Sequence, residues 1–331
     1  MIIHVKKETP SEKVEAIAKE LKAILIHKPE HYVLVTSSSK KELEDKYADV
    51  VEKSVAFEND MQLSSAKYRS KRTIKFGNTV IGGDSNNTVL MAGPCSVESE
   101  EQITQSAELM KSQGISTLRA GCFKPRTSPY SFQGLGMEGL KLLAKMREKY
   151  GLNIITEVKD ATHVDAIIEY ADIIQVGAKS MYDHGILRKC GKTNKPVLIK
   201  RGFGTTLQEF VQASEFVLSG GNENVILCER GIRTFETKTR FTLDLCGAAY
   251  LKEHTNLPIV LDPSHAMGYA YGVPDLAKAC MAMGIDGLLI EVHPNPKVAK
   301  SDASQQLDHE TFTKLATELK AIGKIIGKNL V

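Results

Sequence analysis

Long apolar runs are missing from this 331-residue sequence, and their absence excludes one large class of protein. No stretch approaches the roughly 20 consecutive apolar residues that a membrane-spanning helix needs. The first residues, Met1–Lys7, are too short and too charged to be the apolar part of a secretion signal. The six cysteines show none of the close paired spacings of zinc ribbons or disulfide frameworks. We therefore predict a soluble protein of a reducing compartment, the cytoplasm, with no membrane association.

A strong excess of charge of one sign is missing as well. The formal net charge is only +3, so no global basicity indicates a nucleic acid as partner. No Gly-x-Gly-x-x-Gly sequence follows the first strand of the repeating region described below, which weakens a dinucleotide-binding interpretation. The composition does offer 42% hydrophobic residues, enough in a chain of this length for one large domain and a small one.

The pattern in residues 1–68 predicts a small α+β domain. Short apolar segments at 2–5, 23–26, 32–35 and 50–57 predict strands, and the stretches at 11–21 and 40–47 predict helices. That βαββαβ order is typical of a split-βαβ, or ferredoxin-like, fold. A polar, basic stretch at 59–72 predicts a linker, and residues 73–81 predict a β-hairpin around Gly77 and Asn78. We assign residues 1–68 to this domain, 69–88 to a linker and hairpin, and 89–331 to the main domain.

From residue 89 onward, apolar strand-like segments alternate with amphipathic helix-like stretches. The segments are almost continuously apolar, as expected when both faces of a parallel sheet are covered. So many strand–helix units in a row favour a (β/α)8 TIM barrel, in the α/β class, over an open doubly wound sheet. The eight predicted strands lie at 89–93, 117–121, 153–158, 173–177, 197–201, 225–229, 258–262 and 287–292.

Four candidate metal ligands lie at or just beyond the C-terminal ends of these strands. Cys95 follows the first strand, and His265 follows the seventh. Glu291 lies at the end of the eighth strand, and Asp302 lies in the loop after it. In a closed barrel the C-terminal ends of the strands form one rim, where barrel enzymes place their chemistry. A thiolate, an imidazole and two carboxylates that meet there predict a site for a borderline divalent ion.

The same rim is rich in cationic side chains. Each one alone has an ordinary explanation as a solvated loop residue. That explanation weakens for Lys200 and Arg230, because each ends an apolar strand and is therefore predicted to face the barrel mouth. Phosphates and carboxylates are the anions that such groups bind. The cations are Arg119, Lys124, Arg126, Lys179, Lys200, Arg201, Arg230 and Arg233.

Five short motifs occur here in the order that one enzyme family shows. They are Gly93-Pro94-Cys95-Ser96, the segment 124–134 that begins Lys-Pro-Arg-Thr-Ser, Cys228-Glu229-Arg230-Gly231, Asp262-Pro263-Ser264-His265 and Glu291-Val292-His293-Pro294. On these motifs the chain resembles 3-deoxy-D-arabino-heptulosonate 7-phosphate (DAHP) synthase, in its short bacterial type I form with a ferredoxin-like N-terminal domain. The resemblance spans residues 73–320, whereas residues 1–68 resemble the family only in length and element order.

The resemblance implies an aldol-like condensation of phosphoenolpyruvate with erythrose 4-phosphate, which releases phosphate and opens the shikimate route to aromatic amino acids. It implies one divalent ion, Mn²⁺ foremost with Fe²⁺, Co²⁺ and Zn²⁺ as alternatives, held by Cys95, His265, Glu291 and Asp302. It implies that Arg119, Lys124, Lys200 and Arg230 surround phosphoenolpyruvate with Glu157 close to it, that Lys179 holds the position that contacts its phosphate, and that Arg126 and Thr127 bind the aldose phosphate. Ser128 and Asp262 complete the implied substrate-binding set. The implied catalytic residues are Lys124, Cys95 and His265. We hypothesise that Lys124 donates a proton or hydrogen bond to the new hydroxyl group.

One stretch departs from the family pattern. Family members usually show Gly-Ala-Arg-Asn-Met-Gln-Asn after the fourth strand, whereas this chain has Lys179 at the arginine position, followed by Ser-Met-Tyr-Asp at 180–183. Lysine keeps the charge but loses the bidentate geometry of a guanidinium group. Two interpretations follow. The substitution at 179 is neutral drift, and Lys200 and Arg230 bind the phosphate of phosphoenolpyruvate. Alternatively, it weakens the affinity for phosphoenolpyruvate or alters the acceptor substrate.

Three other functions are compatible with these residues. The nearest is the sister reaction on a five-carbon aldose phosphate, as in 3-deoxy-octulosonate 8-phosphate synthase, although the intact Lys-Pro-Arg-Thr sequence at 124–127 argues against it. The second is a Schiff-base aldolase that uses Lys200. The third is a non-catalytic, metabolite-sensing barrel, which the persistence of all four ligands disfavours.

The N-terminal domain carries less information about function. In related enzymes such a domain responds to aromatic amino acids such as tyrosine or phenylalanine, so an effector site is one hypothesis. The third-strand region, 31–39, lacks glycines that would let a ligand approach the backbone closely. A purely structural role is the other hypothesis. Assembly as a homodimer or homotetramer is also expected from the resemblance.

Overall fold

The N-terminal part forms a four-stranded antiparallel sheet with one helix against it. In this computed structural model, which describes residues 1–124 and 128–331, the strands pair in the order β2-β3-β1-β4. Apolar side chains of β1, β3 and α1, among them Ile3, Leu34 and Val14, form a core of their own. The elements are β1 (Ile2–Lys6), α1 (Ser11–Glu20), β2 (Ile24–His27), β3 (His31–Val35) and β4 (Val51–Val55).

The prediction of a second helix at residues 40–47 was wrong. Only one 3-10 turn, Asp45–Tyr47, forms there. Tyr47 is buried in this stretch, Leu43 is half-buried, and most of the other side chains are exposed. Two apolar residues offer too small a face to stabilise a helix by packing, and short helices need that packing.

A β-hairpin closes one end of the main domain. It consists of β5 (Thr73–Phe76) and β6 (Thr79–Gly82), as the Gly77-Asn78 turn predicted. Its apolar side chains Ile74, Phe76 and Ile81 pack against inward-facing residues of the barrel strands such as Met91 and Leu198. The hairpin therefore fills the N-terminal end of the barrel, opposite the rim that carries the candidate site.

Within the described residues, eight parallel strands close into the predicted barrel, because the last of them pairs with the first. The strand ends agree with the predicted ones to within about two residues. The strands are β7 (Asn87–Gly93), β8 (Thr117–Arg119), β9 (Asn153–Val158), β10 (Ile173–Val176), β11 (Val197–Lys200), β12 (Val225–Glu229), β13 (Ile259–Leu261) and β14 (Gly287–Glu291). A short strand β15 (Asn329–Leu330) pairs with the start of β7.

Helices surround the strands, and capping residues mark where several of them begin. Ser99 caps α2 by accepting a hydrogen bond from the backbone of Gln102, and Thr206 with Glu209 forms a capping box at α6. The helices are α2 (Glu100–Ser112), α3 (Met137–Tyr150), α4 (Val164–Tyr170), α5 (His184–Cys190), α6 (Leu207–Ser219), α7 (Leu245–His254), α8 (Pro263–Met267), α9 (Val273–Ala282) and α10 (His309–Ile325). Among the described residues, no helix combines the length and apolar character required to traverse a bilayer.

The stretch predicted as a linker is packed on the barrel. Glu215 of α6 accepts hydrogen bonds from the backbone amides of Gln62, Leu63 and Ser64 at 2.8, 3.1 and 2.9 Å. The guanidinium group of Arg72 donates to Asn256 Oδ1 at 2.8 Å and to the Leu63 carbonyl at 2.9 Å. These contacts attach the segment after the N-terminal sheet to the barrel at Glu215 and at Asn256.

Candidate active site

Three of the four predicted metal ligands meet in one cluster at the C-terminal rim. Ligand atoms of Cys95, Glu291 and Asp302 all lie within 4.8 Å of one another. Cys95 Sγ is 3.4 Å from Asp302 Oδ2. Cys95 follows β7, Glu291 ends β14, and these strands are neighbours across the barrel closure. The pairing that closes the barrel therefore brings the thiol and the carboxylate together.

The fourth predicted ligand, His265, faces the same cluster. Its Nε2 lies 3.5 Å from Glu291 Oε1 and 4.0 Å from Asp302 Oδ2. Its Nδ1 is 2.7 Å from Asp262 Oδ2 and is assigned as the donor of that hydrogen bond. A carboxylate at one ring nitrogen fixes the tautomer that presents the other nitrogen to a metal. Burial lowers the pKa of His265, although the charge of Asp262 opposes the shift.

Asp302 reaches the cluster through an unusual backbone conformation. Its φ angle is +44°, a region that residues other than glycine adopt rarely. Such strain persists only when the surrounding contacts impose it, and it is concentrated at functional sites. The carboxylate is mostly buried; burial acts to raise its pKa, but the charges of His265 and Arg240 hold the pKa well below its ordinary value.

The donor set fits a divalent cation. Sulfur, nitrogen and oxygen ligands at about 2.0–2.3 Å from a common centre lie roughly 3–4 Å from each other, and the distances of 3.4, 3.5 and 4.0 Å between candidate ligand atoms fall in that range. Burial, with the nearby charge of Glu291, raises the pKa of Cys95 to about 12, so a thiolate there needs compensation by a cation. One thiol, one imidazole and two carboxylates suit Mn²⁺, Fe²⁺, Co²⁺ or Zn²⁺.

Two buried cations lie directly beside this cluster. Lys124 Nζ is 3.1 Å from Cys95 Sγ and donates to the Cys95 carbonyl at 3.2 Å. Arg119 donates to Glu291 Oε1 at 2.8 Å and to the Pro94 carbonyl at 2.7 Å. Burial acts to lower the pKa of both cations, but the surrounding anions raise it above the ordinary value. Both groups therefore stay charged at the floor of the site.

An open cleft lies above the cluster and is lined by further cations. Arg230 is the most informative of them, because its Nε and Nη1 are buried yet have no hydrogen-bond partner in the part of the chain that the structure describes. The ring of Phe241 lies 4.5 Å from its guanidinium carbon. Lys200 Nζ donates to Asp262 Oδ2 at 2.5 Å and lies 3.4 Å from His265 Nδ1. The cleft is lined by Lys124, Glu157, Gly177, Ala178, Lys179, Lys200, Phe203, Arg230, Arg240, Phe241, His265 and Asp302.

The other predicted site residues have different positions. Asp262 is fully buried below the cleft and contacts Lys200 and His265 there. Glu157 lines the cleft and packs on Gly177, where an added Cβ would lie 1.9 Å from Glu157 Oε1. Ser128 caps a local turn by accepting from the Tyr130 amide and is outside the described lining of the cleft. The predicted residues Arg126 and Thr127 lie outside the described residues.

Sequence reasoning missed several residues that line or support the site. Phe203 and Phe241 stack with ring centroids 5.4 Å apart beside Arg230. Arg240 lines the cleft and lies 3.6 Å from Asp302 Oδ1. These residues lie in loops after β11 and β12, where no periodicity or spacing marks a side chain as functional.

Known proteins are similar to this chain in sequence and in architecture. A profile of the DAHP synthetase I family matches residues 61–327, which is most of the chain. The chain belongs to the DAHP synthetase I family. It is 42% identical over 280 residues to a Thermotoga maritima protein named phospho-2-dehydro-3-deoxyheptonate aldolase, a match that covers 84% of this chain and 82% of that protein.

Structural comparison extends the match to the N-terminal part. The crystal structure of a Thermotoga maritima DAHP synthase superposes with a TM-score of 0.80 at 36% identity, covering 100% of this chain and 98% of that one. A truncated form of the Thermotoga maritima synthase gives a TM-score of 0.76 at 38% identity and covers 81% of this chain and 98% of its own. Among curated relatives, a Magnetococcus marinus 2-dehydro-3-deoxyphosphooctonate aldolase is 32% identical over 271 residues, covering 76% of this chain and 91% of that protein.

Proposed function

We infer that this chain condenses phosphoenolpyruvate with erythrose 4-phosphate to give DAHP and phosphate, the first step of the shikimate pathway. Membership of the DAHP synthetase I family supports this reaction, as does the 42% identity to a heptonate aldolase. The single observation that carries the site assignment is the cleft itself, whose lining includes Lys179, Lys200 and Arg230 together with His265 and Asp302.

The cations suit the charges of the two substrates. Phosphoenolpyruvate brings a carboxylate and a phosphate, and the aldose brings a second phosphate. Arg230 adds support, because two of its buried nitrogens have no acceptor among the described residues, which is costly unless an anion binds them. We propose that Arg230, Lys200 and Lys179 bind phosphoenolpyruvate, and that Arg126, Thr127 and Ser128 bind the aldose phosphate.

The residues around the cluster have distinct proposed roles. The third carbon of phosphoenolpyruvate bonds to the aldehyde carbon, water adds to the second carbon, and phosphate leaves. Lys124, next to Cys95, is placed to donate a proton or hydrogen bond to the aldehyde oxygen as it becomes a hydroxyl group. Asp262 orients His265, and Arg119 holds Glu291. A divalent ion bound by Cys95, His265, Glu291 and Asp302 would supply Lewis-acid polarisation to this chemistry.

We propose Mn²⁺ as the ion, with Fe²⁺, Co²⁺ and Zn²⁺ as functional substitutes. Two carboxylate oxygens favour a hard ion such as Mn²⁺, while the thiol and imidazole are tolerated by all four. Metal content of the purified protein, followed by chelation and addition of each ion singly, tests this order. Activity with only one of the other three ions would contradict it.

The sister reaction on a five-carbon aldose phosphate is the competing function. Relatives named octonate aldolases reach 32% identity, against 42% for the heptonate aldolase. The sequence Lys-Pro-Arg-Thr at 124–127 favours the four-carbon substrate. Phosphate release measured with each aldose phosphate in turn decides between the two, and preference for the five-carbon sugar would overturn the assignment.

The remaining alternatives have direct tests. Lys200 Nζ is held by Asp262 at 2.5 Å, so we expect borohydride with either substrate to trap no Schiff base at Lys200. A metabolite-sensing barrel would bind phosphoenolpyruvate without releasing phosphate. Turnover in the presence of Mn²⁺ excludes that function.

We further propose that residues 1–68 form a separate regulatory or structural unit, that 69–88 connects it, and that 89–331 is the catalytic barrel. Existence of a truncated form of a related synthase supports a barrel that folds alone. Adding tyrosine or phenylalanine to the assay, with and without residues 1–68, tests an aromatic effector site. Assembly as a homodimer or homotetramer and a cytoplasmic location stay predictions, and light scattering tests the assembly.

A further inference from the structure

The loop that carries Asp302 also forms hydrogen bonds to two other candidate metal ligands, Cys95 and Glu291. Three and four residues after Asp302 come two consecutive glutamines, Gln305 and Gln306, and each side chain is only 1% exposed. Buried amide side chains need partners for both their oxygen and their nitrogen. Three of the four amide atoms have partners in the metal-ligand segments or in the Asp302 loop itself, and the fourth, Gln305 Oε1, accepts from Arg240.

Gln306 connects Cys95 to the start of the Asp302 loop. Its Oε1 accepts a hydrogen bond from the backbone amide of Cys95 at 2.9 Å. Its Nε2 donates to the carbonyl of Ser301 at 2.9 Å, one residue before Asp302. A second link joins the same segments, because the hydroxyl oxygens of Ser96 and Ser301 are 2.8 Å apart. The distance between Cys95 and Asp302 is therefore set by this amide and this hydroxyl pair.

Gln305 holds the carboxylate of Glu291. Its Nε2 donates to Glu291 Oε2 at 2.7 Å, while the other oxygen, Oε1, faces Arg119 and His265. Both oxygens of this buried carboxylate are thus fixed from opposite sides. The backbone adds to the arrangement, because the amide of Leu307 donates to the Glu291 carbonyl at 2.9 Å.

Arg240 extends the contact from Gln305 to the substrate cleft. Its guanidinium group donates to Gln305 Oε1 at 2.7 Å and lies 3.6 Å from Asp302 Oδ1. Because its own oxygen accepts from Arg240, Gln305 must present its nitrogen to Glu291, which fixes the orientation of the amide. Arg240 lines the cleft beside Phe241.

We propose that Gln305 and Gln306 are positioning residues for the metal site: Gln305 orients Glu291, Gln306 fixes Cys95 against Asp302, and Arg240 sets the amide of Gln305. The proposal rests on the proposed function, since it requires that Cys95, His265, Glu291 and Asp302 bind an ion. Partners that orient metal ligands typically change metal affinity or activity by about 10- to 100-fold when they are replaced. A glutamine that served only stability would change the melting temperature and leave metal affinity alone.

The test compares Gln305→Met and Gln306→Met with a matched control, Gln62→Met. Gln62 is also a buried glutamine hydrogen-bonded through both amide atoms, but its partners are Met1 and Thr36 in the N-terminal sheet. Mn²⁺ affinity is measured by chelator competition in the absence of both substrates, and the Co²⁺-loaded proteins are compared by the thiolate charge-transfer band that reports the bond to Cys95. Gln305→Glu provides a variant of almost identical shape that puts a carboxylate against Glu291.

We expect Mn²⁺ binding about 10- to 100-fold weaker in the Gln305 and Gln306 variants, with the Co²⁺ band changed most in Gln306→Met. Gln62→Met should melt at a lower temperature and bind Mn²⁺ as tightly as the unsubstituted protein. Mn²⁺ affinity within twofold of the unsubstituted protein in folded Gln305→Glu or Gln306→Met would overturn the proposal. In the unsubstituted protein, Mn²⁺ should slow hydrogen exchange in residues 301–307, and unchanged exchange would also overturn it. Failure of the unsubstituted protein to bind Mn²⁺ at all would instead contradict the proposed metal site.

Discussion

Lys124 Nζ lies 3.1 Å from Cys95 Sγ, so a buried ammonium group is in direct contact with a candidate metal ligand at the floor of the cleft. The contact couples the substrate cleft to the ligand cluster, because Lys124 lines the former and touches the latter. It also limits where a reacting aldehyde oxygen can lie if it is to reach both groups. An ion held by Cys95 would therefore lie close to the ammonium group of Lys124, the proposed proton donor.

Replacing Lys124 with methionine should abolish turnover while metal and phosphoenolpyruvate still bind. Methionine fills a similar volume but removes the donor, and a general acid typically contributes about 10²- to 10⁴-fold in rate. Steady-state turnover, Mn²⁺ affinity and phosphoenolpyruvate affinity are measured on the same preparation. Normal turnover in Lys124→Met would remove this residue from the mechanism.

Replacing Arg230 with lysine should weaken phosphoenolpyruvate binding strongly. Two nitrogens of Arg230 have no partner among the described residues and can donate to anion oxygens, and lysine offers neither the planar group nor as many donors. Loss of a charge-assisted hydrogen bond costs about 1.5–3 kcal/mol, or roughly 10- to 100-fold in affinity. The matched control is Arg147→Lys on α3, remote from the cleft lining. Equal effects of the two substitutions on the KM for phosphoenolpyruvate would contradict the assignment.

Replacing Lys179 with arginine should change the KM for phosphoenolpyruvate by no more than about threefold. Lys200 and Arg230 lie in the same cleft lining and already supply charge for the phosphate, so the neutral-drift interpretation of this position is the one we expect to hold. The prediction is checked by titrating phosphoenolpyruvate at saturating erythrose 4-phosphate. A tenfold lower KM for phosphoenolpyruvate in Lys179→Arg would support the other interpretation, in which lysine has weakened the binding of this substrate.

The N-terminal sheet should lose stability as the pH falls below about 6.5. Burial, reinforced by the neighbouring His31, lowers the pKa of His4 from its ordinary value of 6.5. The unfolded chain then binds more protons than the folded chain below that pH, so the free energy of unfolding decreases as acid is added. Lys53 and Glu52 lie close enough to act on the same ring, with opposite effects.

Thermal unfolding between pH 7.5 and 5 checks this prediction, with His4→Gln as the comparison. The variant should show a smaller dependence of its melting temperature on pH, because glutamine does not titrate. An identical pH dependence in both proteins would assign the effect to other groups.

The barrel and the ligand set were predictable because their signals are strong and local. Each barrel strand is an apolar segment bounded by short loops, and Cys95, His265 and Glu291 stand at fixed offsets from strand ends. Closure of the barrel through β7 and β14 then brings distant residues together without any further information. The barrel is confirmed, whereas the role of these residues as metal ligands stays a prediction that rests on topology as much as on residue type.

The supporting residues were not predictable by the same reasoning. Gln305, Gln306 and Arg240 lie in loops, where no repeat marks which side chain turns inward. Glu215 has the position of an ordinary helix residue, and its role became visible only in the structure, where residues 62–64 donate hydrogen bonds to it. The helix predicted at 40–47 was wrong for a related reason: its residues favour a helix locally, but the fold offers them almost no apolar surface to cover.

The most direct test of the account is phosphate release from phosphoenolpyruvate and erythrose 4-phosphate by the full chain, before chelation, after chelation and after addition of Mn²⁺. We predict release that requires both substrates, disappears on chelation and returns with Mn²⁺. A folded, Mn²⁺-loaded protein that leaves both substrates unconsumed, or one whose rate is unchanged by complete metal removal, would contradict it.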